Sequence, residues 1–257
     1  MNASQLWTAY YTIVVREILR FSRIWVQTII PPVITTALYF VIFGNLIGSQ
    51  IGDMDGYSYM EFIVPGLIMM SVITNAYANV VSSFYGSKFQ GNIAEMLVSP
   101  TPNWLILIGY VSGGIARGLA VGFAVTIVSL VFSDLQIKNF WITSSIILLT
   151  ATLFSLAGLI NAVYAKSFDD ITIIPTFVLT PLTYLGGVFY SISLLPSFWQ
   201  HASLTNPILY MVNGFRYGIL GTADINIWIS YGVIIGFIVL LGSFAMYLLH
   251  HGIGTRS

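Results

Sequence analysis

Apolar runs of membrane-spanning length alternate along this chain with short polar connections, and most charged positions fall in the connections. A helix crossing the hydrocarbon core of a bilayer needs about 20 apolar residues. Six segments are read as such spans, near 25–46, 59–83, 104–132, 141–164, 171–188 and 227–249. The first carries Pro31 and Pro32 near its start, where a proline does least damage and a kink is expected. The second carries Pro65 and Gly66, and the third is rich in glycine. Asp53, Asp55 and Gly56 follow the first span, and Asp134 and Lys138 follow the third, with no soluble domain between. The pattern predicts an all-α integral membrane protein with six transmembrane helices in one transmembrane domain, residues 1–257.

Two stretches depart from plain spans. Residues 1–24 have the spacing of an amphipathic interfacial helix: Thr12, Arg16, Arg20 and Arg23 mark one face, and Leu6, Tyr10, Ile13, Val14, Ile18 and Phe21 the other. Such a helix lies in the headgroup layer, where each basic residue contributes about 1 kcal/mol against an anionic surface. The plainer reading makes these arginines the positive flank of the first span. Residues 189–220 are aromatic and aliphatic, yet Pro196, His201, Asn206, Pro207 and Arg216 interrupt them. Backbone broken at membrane depth survives only where protein or trapped water satisfies it. A re-entrant helical segment is expected there, between spans five and six. His201, Pro207 and Arg216 are its candidate residues, with His201 and Arg216 as those that would face the exit, although a histidine among aromatics also serves as an interfacial anchor.

Composition agrees with the class. The chain is 57% hydrophobic and 7% charged, against about 25% charged in a soluble domain. Zero net charge and scattered charges leave no footprint for nucleic acid. The absence of cysteine excludes disulfides and thiolate metal sites. No signal-peptide pattern opens the sequence, so insertion through the first span is expected. With the N-terminus inside, Arg16, Arg20, Arg23, Lys88, Lys166 and Arg256 are cytoplasmic, against Lys138 and Arg216 outside. That asymmetry places both termini in the cytoplasm.

Among single residues, Arg117 in the third span is the most conspicuous. A charge at a helix centre costs about 2.5–3.5 kcal/mol on insertion scales, so it requires a partner, water or a route to the headgroups. Two readings stand: contact with an anionic substrate group, or a structural bond, either to Glu61 or to broken-helix carbonyls. Gly114, Gly118 and Gly122 recur every fourth residue beside it, and Gly109 with Gly113 forms another such pair. Small residues at this spacing bring helices together. In the connection 85–102, Ile93, Met96 and Leu97 form one apolar edge of a short helix while Glu95 points elsewhere, and Pro100 and Pro102 end it. An interfacial turn with one solvated glutamate is the plain alternative.

Enzyme motifs are missing. No G-x-x-x-x-G-K-[ST] loop is present, so the chain does not bind ATP in that manner. GYVSGG at 109–114 fails the G-x-S-x-G spacing, although an intramembrane hydrolase using Ser112 and His201 is a further alternative. His250 and His251 are adjacent on a helix and do not converge on a metal. No catalytic or metal site is expected.

The runs TPLTYLGGVFYSISLLP and NPILYMVNGFRYG, with FIVPGL at 62–67 and FQGNIAEMLVSPTP at 89–102, resemble the ABC-2 type transporter permease family, the membrane subunits of bacterial ABC exporters. The resemblance covers nearly the whole chain. It implies an inner-membrane exporter subunit moving an amphipathic, lipid-linked or glycan-type substrate or a drug. It further implies a homodimer bound by two copies of a separate ABC ATPase, which carries the ATP and Mg while this chain holds no cofactor. Residues 85–102 become the coupling helix loop, with Lys88, Ile93, Glu95, Met96, Leu97 and Pro100 at the ATPase. A secondary transporter or channel not coupled to ATP is the alternative; its ionisable groups are limited to Arg117 and Glu61.

Overall fold

The computed structural model describes residues 1–54 and 56–254, so Asp55 and Arg256 lie outside the described residues. The described residues are helical with no strand. Helix α1 (Ala3–Arg23) is broken at Ile24 from α2 (Trp25–Tyr39), which contains Pro31 and Pro32 and runs on as a π-helical segment, Phe40–Ile47, into α3 (Gly48–Ile51). Then come α4 (Tyr59–Phe89), α5 (Asn92–Val98), α6 (Asn103–Phe132) and α7 (Phe140–Tyr164). Helices α8 (Asp170–Ile174) and α9 (Thr180–Tyr184) flank a π turn at Pro175–Leu179. The chain ends with α10 (Ser197–Leu204), α11 (Pro207–Leu220) and α12 (Ile227–His251).

Among the described residues, five helices are long and apolar enough to cross a membrane: Trp25–Gly44, α4, α6, α7 and α12. The segment expected as a fifth span, 171–188, is instead a helical run over 170–184, with Pro175 and Pro181 inside it. Each proline lacks the N–H that an uninterrupted helix needs. The run widens into the π turn, where the Thr180 hydroxyl bonds the Pro175 carbonyl at 2.9 Å. It stops at the turn before Gly187, whose φ is +70°.

The core is built around α4. Its start is set by a reciprocal cap in which Ser58 Oγ accepts from the Glu61 N–H and Glu61 Oε2 accepts from the Ser58 N–H at 3.0 Å. At 31 residues it is about 46 Å long, and it packs on α6 and α7 along most of that length. Glycine makes the approach close. A Cβ on Gly114 would lie 2.2 Å from Ser155 Oγ and 2.6 Å from Val80, and one on Gly122 would lie 2.6 Å from Val72. Gly109 and Gly113 instead face α1, where a Cβ would meet Ile13 and Glu17 at 2.6 and 2.5 Å.

Asparagine side chains cap the later helices. Asn139, Asn206 and Asn226 accept from the N–H of Ile142, Ile208 and Trp228 at 3.3, 3.0 and 2.9 Å. The C-terminal ends of α4, α7 and α12 gather beside α1, α5 and the start of α6; Asn103 Nδ2, for example, bonds the Leu249 carbonyl at 3.2 Å. At the opposite end Tyr57 donates to the Leu220 carbonyl at 2.5 Å and accepts from Lys138.

Candidate functional site

Three groups of polar residues stand out against this apolar frame. The first lies where α1 crosses α4 and α6. Ile13, Glu17 and Phe21 form the inward line of α1, and Glu17 is fully buried. Its Oε1 accepts from the Ser83 hydroxyl at 2.6 Å and lies 3.7 Å from Arg16 Nη2, while its Oε2 lies 3.6 Å from Arg20 Nη2. Arg20 Nη2 also donates to the Asn79 carbonyl and Oδ1 at 2.8 and 2.7 Å, and Arg16 Nη2 donates to Tyr110 Oη at 2.7 Å. The arginine face of the interfacial helix is therefore turned partly onto the protein. Arg16 and Arg20 remain half-exposed and pin α1 to both neighbours, with a charged bond partner at each step. Glu17 was absent from the sequence-based candidates because its apolar spacing from Ile13 and Phe21 shows only once the inward line is known.

Arg117 continues this polar strip. Its Nη2 donates to Asn75 Oδ1 at 3.3 Å, one turn along α4 from Asn79. The expected pairing with Glu61 does not occur. Glu61 caps the start of α4, fourteen residues from Asn75 and so about 21 Å away along the axis. Asn75 also lines a groove of about 230 Å³ between α2 and α4, with Thr35, Thr36, Ser71 and Thr74 on its walls. Ser112 and His201 are not brought together: Ser112 bonds Tyr10 on α1 at 3.0 Å, whereas His201 Nδ1 contacts the Ser197 carbonyl within its own short helix.

The second group is at α5. A left-handed Gly91, φ +80°, turns the chain out of α4, and α5 follows at once. Ile93 is 1% exposed and belongs to the main core, while Met96 and Leu97 pack partly against it. The apolar edge of this helix is thus its anchor to the protein, which leaves Glu95, Val98 and Pro100 exposed on the other side. Lys88 is bound inward as well, donating to the Val163 and Ala165 carbonyls, each at 2.7 Å, and so satisfying the C-terminal end of α7. Beside α5, Phe89 and Phe168 project 70% and 54% exposed with ring centroids 5.3 Å apart. The Lys166 N–H, with Ser167 next, holds the Asp170 carboxyl below its usual value and shapes the loop that presents Phe168.

The third group is the 189–220 segment. Pro207 opens α11 behind the Asn206 cap, and His201 is exposed on α10. Arg216 was expected to face an exit; it is 1% exposed. Its Nη2 donates to the Gly187 carbonyl at 2.6 Å, Nη1 lies 3.9 Å from Asp224 Oδ2, and the guanidinium sits 3.8 Å above the Phe62 ring. Asp224 in turn accepts from Ser191 at 2.5 Å. Arg216 therefore ties the segment to the start of α4, and the exposed groups at this end are others.

Residues 8–220 match the ABC-2 type transporter family. The chain is 61% identical to the inner membrane transport permease YadH of Escherichia coli (strain K12), over 98% of each chain. It is 23% identical to nodulation protein J of Rhizobium leguminosarum bv. viciae over 88% of this chain and 87% of the relative, and 20% identical to its namesake in Rhizobium meliloti (strain 1021) over 85% and 84%. With five apolar helices of spanning length among the described residues, these relations describe a multi-pass inner-membrane transport permease, and the chain belongs to the ABC-2 type transporter family.

Proposed function

We propose that this chain is the membrane subunit of an ATP-driven exporter, with two copies forming the translocation path and two copies of a separate ATPase bound at the α5 end. The observation that carries the reading is α5 itself. It is a short helix clamped to the core through Ile93, with Glu95 and Val98 exposed and with direct joints to α4 and α6. A partner that grips its outer side moves those two helices as levers. Phe89 and Phe168 extend the same surface with apolar area that a protein partner would cover.

The six-to-two excess of Lys and Arg supports placing the α5 end and both termini in the cytoplasm. In this reading the helical run from 171 to 184 is the fifth crossing, short and proline-broken, with Asp170 in the inner loop at its start, and α10 with α11 dips into the outer leaflet and returns. Arg216 and Asp224 satisfy the exposed backbone there, as broken helices at membrane depth require. The groove at Asn75, lined by hydroxyls and held beside Arg117, suits a substrate with a polar head and an apolar body. That points to the amphipathic, lipid-linked or glycan-type class or to a drug, exported outward.

Co-purification with the ATPase encoded nearest this gene, followed by reconstitution, tests the proposal. ATP hydrolysis that rises with substrate, and transport that stops when the ATPase Walker lysine is replaced, is the expected result. Transport that needs no ATPase but collapses with an ion gradient would make the protein a secondary transporter instead.

A further inference from the structure

A cleft of about 860 Å³ opens between α1 and the last turns of α4. Arg16, Arg20 and Arg23 line it, against a single carboxylate, Glu17. Glu17 lies closest to Arg16 and Arg20, so the cleft keeps a clear positive excess. Two features leave donors for a ligand. Arg20 Nε is buried and makes no hydrogen bond, and Arg23 is exposed with no ion pair among the described residues. The opposite wall is small and hydroxylic, with Ser82, Gly86 and Ser87, so a compact group can come close to the guanidinium forks. Planar arginine forks over hydroxyl donors fit the tetrahedral oxygens of a phosphate, which accept bidentate bonds.

The rim differs from the floor. Tyr11, Leu19 and Ile24 border the cleft and are 59%, 49% and 41% exposed, and Trp7 and Trp25 lie outward on α1 and at the start of α2 with 67% and 54%. Exposed tryptophan and tyrosine beside basic residues mark the headgroup level of a bilayer. The cleft therefore offers an anion-binding, cationic floor and an apolar lip in one place.

We propose that the cleft between α1 and α4 binds a phosphate ester at Arg16, Arg20 and Arg23, the form favoured by its rim being the headgroup of an anionic phospholipid. The site is separate from the groove at Asn75 and meets α5 only at its first residue, Asn92, and its test needs neither transport nor an ATPase. A bound headgroup would complete the α1 contacts, so α1 docking depends on the anionic content of the membrane.

Purified protein in neutral detergent is titrated with dioctanoyl phosphatidylglycerol, dioctanoyl phosphatidylcholine and inorganic phosphate, read by tryptophan fluorescence and melting temperature. Phosphatidylglycerol should bind at least about tenfold more tightly than phosphatidylcholine, and the preference should shrink as salt is raised. Each of Arg16→Gln and Arg23→Gln should weaken phosphatidylglycerol about fivefold, whereas Arg23→Lys keeps most of the affinity. Arg23 is exposed and has no ion pair among the described residues, so its variants separate binding from stability. Inorganic phosphate that binds as tightly as phosphatidylglycerol, with the same arginine dependence, supports the phosphate site and assigns it to a water-borne ligand. Weak inorganic phosphate supports the lipid form. Equal binding of the two lipids with no response to phosphate overturns the proposal, as does unchanged affinity in both arginine variants.

Discussion

The Glu17 carboxylate on α1 and the Ser83 hydroxyl on α4 are 2.6 Å apart, with Glu17 wholly out of contact with solvent. A buried carboxylate must keep its partners, because removing one side of such a pair leaves the other desolvated and unsatisfied. Glu17→Leu should release α1 from the bundle by freeing Arg16 and Arg20 together, at a cost of about 1.5–3 kcal/mol, as for a lost charged hydrogen bond. Limited trypsin digestion checks this: cleavage after Arg16 and Arg20 should quicken several-fold in Glu17→Leu and only slightly in Glu17→Gln. Equal rates in all three proteins would show that the Glu17 carboxylate is not needed to hold α1 on the bundle.

The glycines of α6 differ sharply from those of α12. An added methyl at Gly114 meets Ser155 Oγ at 2.2 Å, Val80 at 2.6 Å and the Ala76 carbonyl oxygen at 3.0 Å, whereas one at Gly236 meets nothing within 4 Å. Overpacking a fitted core costs about 1–3 kcal/mol, so Gly114→Ala should melt several degrees lower in detergent. Gly236→Ala should be neutral or slightly stabilising, since alanine is the better helix former. The reverse order of melting temperatures would contradict the packing of α4 against α6.

Much of the architecture is legible from one-dimensional pattern, because spans are set by length and hydropathy. The Ser58 and Glu61 capping box spans four residues and is local in the chain, yet Glu61 was read there only as a partner for Arg117. Other features need the third dimension. Glu17 sits between basic neighbours in REILR, and only the direction of α1 against α4 makes it the buried one. Arg117 finds Asn75 rather than Glu61 because a helix advances too far in fourteen residues, a distance that charge counting ignores. The apolar edge of α5 was readable, but its orientation was not: an edge made of Ile93, Met96 and Leu97 suits a partner as well as it suits the chain's own core.

Topology is open to direct chemistry because the chain has no cysteine. Asp53, Asp134, Ser193 and Gln90 are all exposed. Cysteine at 53, 134 or 193 should react with an impermeant thiol reagent applied to intact cells, and cysteine at 90 only after the membrane is opened. Labelling confined to position 90 in intact cells would invert the proposed orientation.

The Asp170 carboxylate accepts from the Lys166 and Ser167 N–H groups at 2.8 and 3.0 Å, so the loop's support should depend on pH. Its folded pKa lies below the ordinary carboxylate value, chiefly through the Lys166 N–H and then Ser167. A depressed carboxylate pKa adds stability above its unfolded value and loses it as pH falls through the folded one. The Lys166 and Ser167 amides should thus be protected from hydrogen exchange near neutral pH and lose that protection in acid. In Asp170→Asn the protection should be low and flat across the same range; an unchanged profile would remove the carboxylate from the loop's support.

The exposed side of α5 decides whether this helix is the coupling element. Because Ile93 and Leu97 face inward, Leu97→Asp would place a charge against the core and harm folding before it could report on a partner. Glu95 and Val98 are the informative positions: both are exposed, and Val98 is 88% so. Glu95→Ala and Val98→Asp should leave expression and melting temperature near wild type, since surface changes rarely exceed about 0.5 kcal/mol. At a docking surface the same changes should cost about 1–3 kcal/mol, because a charge pressed into an apolar contact loses its hydration without gaining a partner. That corresponds to a roughly five- to 150-fold weaker hold on the ATPase. Retention of the ATPase during purification and ATP turnover linked to transport measure it. Wild-type values for both variants in both assays would place the ATPase elsewhere on the α5 end and leave Phe89 and Phe168 as the surface to test.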